Sequence, residues 1–248
     1  METNQPGASS DSSKNQQLAN NYENAIFISY AWGGEREDIV NQIDQTLQKR
    51  GIIIVRDKRD LGYKGSITEF MERIGQGNCV IVVISDKYLC SPNCMFELVE
   101  IADGKQFHDR IFPVVLNDAN IYDPLKRIEY VKFWEAKIAE LDKAMREVGM
   151  ANLQGIRNDI DQYTRIRARI AELTDILKDM NTLTPDMHRD SEFSELYRAL
   201  EKRMKKNLTQ VKTENSTRPP QSEWAKTTNS IKCKKSFSDK PNKRKSKA

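Results

Sequence analysis

An α/β domain followed by a helical segment is the fold class this chain predicts, and three observations predict it. Short apolar runs at Ala25–Tyr30, Ile52–Val55, Cys79–Ser85 and Arg110–Leu116 alternate with segments of helical spacing through residues 25–134. Those runs are apolar at consecutive positions rather than at every second one, as expected of strands buried on both faces of a parallel sheet. Beyond Trp134 the short runs stop, and apolar residues step by threes and fours over long stretches, the pattern of amphipathic helices. Strand–helix alternation with right-handed crossovers then leaves few topologies.

Taken in order, residues 1–23 are rich in Ser, Asn and Gln and are expected to be disordered. "AIFISY" is the first strand and "WGGERED" the loop after it. Ile39, Val40, Ile43 and Leu47 recur at helical spacing, and Gly51 marks that helix's end. "IIIV" is β-branched throughout and predicts a second strand. "RDKRDLGYKGS" is a polar loop, and "ITEFMERIG" a short helix with Ile67, Phe70, Met71 and Ile74 on one side. "CVIVVIS" is the strongest strand. "PNCMFELVEIAD" is the next helix, entered through Ser91 as N-cap and Pro92 in the first turn. "RIFPVVL" is a fourth strand and "EYVKFW", Glu129–Trp134, a fifth. Ile138, Leu141, Met145 and Val148 are helix-spaced. A long amphipathic helix is predicted from Ile156 to Asn181, and Phe193, Leu196, Leu200 and Met204 mark one more. The expected division is a disordered segment at 1–23, an α/β domain at 24–150, a helical extension at 151–207 that packs on the domain or pairs chains, and a disordered basic tail at 208–248.

Charge follows that division. The whole chain carries +4, but from Leu208 onward eleven Lys and Arg face three acids, so the tail is basic and the body mildly acidic. "KPNKRKSK" is a candidate for non-specific phosphate or nucleic-acid contact, with a solubilising tail as the plainer reading. No apolar run is long enough for a membrane span, and the first twenty residues lack a signal peptide's apolar core, so no membrane partner is expected. The four cysteines, Cys79, Cys90, Cys94 and Cys233, have no paired metal spacing and only two histidines, His108 and His188, to support them. Free thiols in a cytoplasmic protein without a metal or bound cofactor are the simplest expectation.

Open parallel sheets bind ligands outside the carboxyl ends of their strands, where the strand order reverses. For a five-stranded order 2-1-3-4-5 that crevice lies between the first and third strands. It is reached by "SYAWGG" after the first and "SDKYLCSPNC" after the third. Trp32 and the start of the Pro92–Asp103 helix therefore share it. On a helical wheel Cys94, Leu98 and Ile101 belong to an apolar arc and Glu97 falls just outside its edge. Spacing alone makes Glu97 a solvated flank residue; the crevice gives it a second reading, as a carboxylate one turn into a helix that faces a site.

"IFISYAW", "RDKRDLGYKGSI" and "KFW", in that order on this frame, resemble the three boxes of TIR (Toll/interleukin-1 receptor) domains, closest to bacterial-type ones with a helical C-terminal segment. The resemblance spans Ala25 to about Trp134 and implies a flavodoxin-like fold with a five-stranded parallel sheet. It also implies one of two functions. Some members are NAD glycohydrolases that release nicotinamide and form ADP-ribose or a cyclic isomer, as immune or anti-phage effectors switched on by self-assembly, often under an upstream sensor. Others are adaptors that only bind other TIR domains. The enzymatic group carries a glutamate in a pattern similar to Trp-Cys-x-x-Glu. "NCMFE" matches it at Cys94 and Glu97 and departs from it at Asn93. The resemblance implies Glu97 as the catalytic carboxylate and NAD as substrate. It implies substrate contacts at Ser29, Tyr30, Trp32, Arg56, Asp57, Leu61, Lys64 and Cys94, with Arg56 and Lys64 facing the pyrophosphate. There is no G-x-G-x-x-G loop of the kind that holds a dinucleotide as cofactor.

Overall fold

In a computed structural model of the 248-residue chain, residues 25–61, 66–104, 106–148 and 153–217 are described. The expectations for 1–23 and for most of the basic tail, its nucleic-acid partner included, fall outside them. The chain divides into two compact units, 1–207 and 208–248. The second is described only where the last helix, Ser194–Thr217, continues beyond Leu208.

Among the described residues four strands form one parallel sheet in the order β2-β1-β3-β4: β1 Ile26–Tyr30, β2 Ile54–Arg56, β3 Cys79–Ile84 and β4 Ile111–Val115. Ile26 stands opposite both Ile54 and Cys79, and Val80 opposite Ile111. Every residue of β1 and β3 is buried, which is why both read as unbroken apolar runs. Strand β2 starts later than "IIIV" suggests. Gly51, at φ +80°, turns the chain so that the Ile52 N–H donates to the Leu47 carbonyl, leaving Ile53 exposed and Ile54 as the first paired residue.

The expected fifth strand does not form. Residues 129–134 lie inside a 24-residue helix, Pro124–Glu147. The Asp123 side chain accepts from the Leu125 N–H at 2.8 Å and Pro124 occupies the first turn, so the segment is helical before it reaches "EYVKFW". Tyr130 and Trp134, four apart, then share one buried face. The Trp134 Nε1–H donates to the Leu89 carbonyl at 3.0 Å and the Tyr130 hydroxyl to Asp86 at 3.0 Å.

The helices are α1 (Glu35–Lys49), α2 (Asp57–Asp60), α3 (Ile67–Gln76), α4 (Asp86–Leu89), α5 (Pro92–Asp103), α6 (Phe107–Arg110), α7 (Pro124–Glu147), α8 (Gln154–Asp179), α9 (Pro185–Asp190) and α10 (Ser194–Thr217). Alternate strand residues feed two cores. Phe27, Val80, Val82 and Ile84 pack with α3, α5, α7 and α8. Ile28, Ile54, Ile81 and Val83 pack with Ile39, Val40, Ile43 and Leu47 of α1, with Phe193, and with Leu196 and Leu200 in the first turns of α10. Helices beyond residue 150 thus close both faces of the sheet.

Candidate active site

The order reverses between β1 and β3, and both strands end on the same side of the sheet. Two serines shape the chain after β3. The Ser85 hydroxyl accepts from the Tyr88 N–H at 3.0 Å and starts α4. Ser91 accepts from the Cys94 N–H at 3.5 Å and starts α5, with Pro92 in its first turn. Together they hold α5 so that Cys94 and Glu97 point back towards the end of β1.

A cavity of about 230 Å³ lies there. Ala31, Trp32, Leu61, Phe70 and Met71 give it an apolar wall, and Tyr30 completes that side. Lys87, Ser91, Asn93, Cys94 and Glu97 line it as well. Glu97 is only 6% exposed. Its Oε2 accepts a hydrogen bond from the Ser29 hydroxyl of β1, whose oxygen is 2.8 Å from the Tyr88 hydroxyl. Burial, then the neighbouring Cys94 and Glu97, push the Tyr88 phenol well above its ordinary pKa, so it stays protonated. A wheel drawn on α5 alone leaves Glu97 at the border. The chain leaving β1 and the α4 segment roof that border, so the carboxylate is inside.

Other expected residues are distributed as follows. Trp32 is 46% exposed at the cavity mouth, and its carbonyl accepts from Lys87 Nζ at 2.8 Å. Leu61, Tyr30 and Cys94 line the cavity. Arg56 is not among the lining residues. Its guanidinium donates to Asn41 at 2.8 Å and Asp44 at 3.4 Å from α1, and to the Tyr30 hydroxyl at 3.0 Å. Those partners outweigh the cost of burial and raise its pKa, so the cation is held by the α1 side of the sheet. The Asp57 side chain and all of Lys64 lie outside the described residues. Phe70, Met71, Ser91 and Lys87 line the cavity too but were not expected there, Ser91 being read only as a helix cap. The first two carry only a core-helix signal, and nothing in periodicity separates Lys87 from a solvated lysine. Among the described residues Lys87 is the cation on the cavity wall, no group of three His, Cys, Asp or Glu side chains is placed to hold a metal ion, and no helix is long and apolar enough to cross a membrane.

In chemical terms, a buried carboxylate in an apolar cavity with a cation at its rim suits a substrate that develops positive charge near the carboxylate and carries negative charge at the mouth. Compared with known proteins, residues 26–147 match the TIR domain family model. Among solved structures, the TIR domains of the activated Roq1 resistosome, which directly recognizes the pathogen effector XopQ, are 21% identical; the match covers 73% of this chain and 98% of that one, with a TM-score of 0.43. A likeness that loose identifies neither fold nor activity.

Proposed function

We propose, for a chain whose residues 26–147 are a TIR domain, that it is an NAD glycohydrolase with Glu97 as its catalytic carboxylate. The observation that carries the reading is the place of Glu97. It is buried at the strand-order reversal, hydrogen-bonded from β1, and opens on a mainly apolar cavity. Nicotinamide in NAD is already a cationic leaving group. When the bond from ribose C1′ to the ring nitrogen breaks, its electron pair neutralises the pyridinium, so no acid is needed to protonate the leaving group. Charge moves to the ribose, and an anion fixed beside an oxocarbenium-like centre stabilises it, as in glycosidases. A water that captures C1′ loses a proton and gives ADP-ribose; the adenine of the same molecule gives a cyclic isomer.

At about 230 Å³ the cavity is smaller than the roughly 300–1,000 Å³ of sites that enclose a whole ligand. It suits the nicotinamide end of the dinucleotide. Trp32 at the mouth supplies the aromatic face that Asn93 does not, and Lys87 is better placed for the pyrophosphate than Arg56. In this reading the chain is a cytoplasmic immune or anti-phage effector, activated when TIR domains of several copies assemble, with an upstream sensor as a further partner.

Purified protein incubated with NAD at high concentration and with a crowding agent is expected to release nicotinamide, and Glu97→Ala to abolish the release. Activity that survives Glu97→Ala removes Glu97 from its role. Asn93, exposed on the cavity wall where the enzymatic pattern has an aromatic, favours a second reading, an adaptor that binds other TIR domains through residues 56–65. That reading requires binding without NAD turnover in every assembled state.

A further inference from the structure

We propose that Tyr88 is a positioning residue for Glu97 and acts through Ser29. The inference rests on Glu97 being the catalytic carboxylate and adds how it is held. Ser29 has one hydroxyl proton, and that proton is donated to Glu97 Oε2. Towards Tyr88 the Ser29 oxygen is therefore left only as an acceptor, so the Tyr88 hydroxyl is the donor across the 2.8 Å contact. The chain has a single direction, from phenol to hydroxyl to carboxylate.

Its three members come from three elements, α4, β1 and α5, and all are buried. These are the elements that meet where the strand order reverses, so the hydrogen bonds tie them together at the functional carboxylate. Tyr88 is itself fixed, its N–H donating to Ser85 and its ring in the core of the α5 face. The phenol stays protonated and remains a donor at any working pH. Consecutive O–H donors ending on an anion polarise one another. The result is a carboxylate with one oxygen hydrogen-bonded and its orientation set. Besides Tyr88, which lies behind Ser29, the titratable groups that line the cavity with Glu97 among the described residues are Tyr30, Lys87 and Cys94, the last on its own helix.

The experiment uses full-length protein as wild type, Tyr88→Phe, Ser29→Ala and the double variant, with two readouts. The first is steady-state NAD turnover. Tyr88→Phe keeps the ring and removes the hydroxyl. A fall in kcat of about tenfold is expected, the effect of losing one hydrogen bond of ordinary net worth, with KM within about twofold. Placed on Ser29→Ala, it is expected to add little, because the hydrogen-bonded route to Glu97 is gone. The second readout is the Glu97 carboxyl ¹³C resonance against pH, assigned with Glu97→Gln. Its midpoint is expected to rise by about one unit in Tyr88→Phe, the same free energy read as a titration. A merely structural Tyr88 would move neither the midpoint nor the cycle. An unmoved midpoint, or a full extra loss of turnover on the Ser29→Ala background, overturns the proposal. If wild type does not cleave NAD, or Glu97→Gln still does, the enzymatic reading falls, while the titration still decides whether Tyr88 acts on Glu97.

Discussion

Glu97 and Arg56 serve opposite faces of the same sheet. Glu97 is reached from Ser29 on the α5 side, while Arg56 pairs with Asp44 and Tyr30 on the α1 side. Spacing along a loop does not distinguish those faces. Strand parity does: Tyr30 belongs with Ile28 and Ile54, one residue out of phase with Ser29. Arg56→Ala is therefore expected to cost about 1–3 kcal/mol of stability, since it takes a donor from the Tyr30 hydroxyl and from Asn41 and leaves Asp44 with Arg59 alone, and to leave the KM for NAD within about twofold. Denaturant unfolding and steady-state kinetics check the two halves. His188 gives a pH prediction. Among the described residues neither of its ring nitrogens has a hydrogen-bond partner, its ring stacks on Phe193 at 5.8 Å, and burial lowers its pKa from 6.5. Below that value the unfolded chain takes up a proton that the native state refuses, so stability falls as pH drops from 6.5 towards the native value. His188→Phe is expected to flatten that slope. Urea midpoints at about pH 7.5 and 5.5 would show it, and an unchanged slope would contradict it.

At the scale of elements, the helix that carries Glu97 is braced from outside by α8. Ile166, Ile170, Leu173 and Leu177 join its core at steps of three and four. At the rim Arg165 pairs with Glu100 at 2.9 Å and Asp103 at 3.0 Å and lies over the Phe96 ring. The apolar contacts dominate. Ile170→Ala is expected to lose about 2–5 kcal/mol and Arg165→Ala less than about 1 kcal/mol, because a buried cavity costs more than an exposed ion pair. Thermal unfolding of the two variants orders them. Strands β1 and β3 were legible because full burial writes itself as uninterrupted apolar sequence, and β4, half-buried at Phe112 and Pro113, is apolar throughout as well. The misread element was "EYVKFW". Four apolar residues in six satisfy a strand and a helix equally, and the decision lay upstream, in Asp123 and Pro124. The burial of Glu97 was illegible for a related reason. A wheel reports one helix's own faces, whereas Ser29 and Tyr88 reach Glu97 from 68 residues away in one case and from a different helix in the other.

At the scale of the molecule, the segment that matches the TIR family ends at residue 147, but the packed unit does not. Leu173 and Leu177 complete one core and Phe193, Leu196 and Leu200 the other. A chain cut after residue 148 would bare apolar surface on both sides of the sheet. It is expected to give little soluble protein and no cooperative thermal transition, whereas a chain cut after residue 217 unfolds as the full one does; soluble yield and calorimetry check both. The amphipathic period of α8 was plain in the sequence. Whether it packed back on its own domain was not, because an apolar stripe does not name its partner. The measurement that tests the account most directly is nicotinamide release from NAD by full-length protein under crowding, wild type against Glu97→Gln. The account predicts release by the wild type and background rates from the variant. Equal rates in the two, or no release from either, would contradict it.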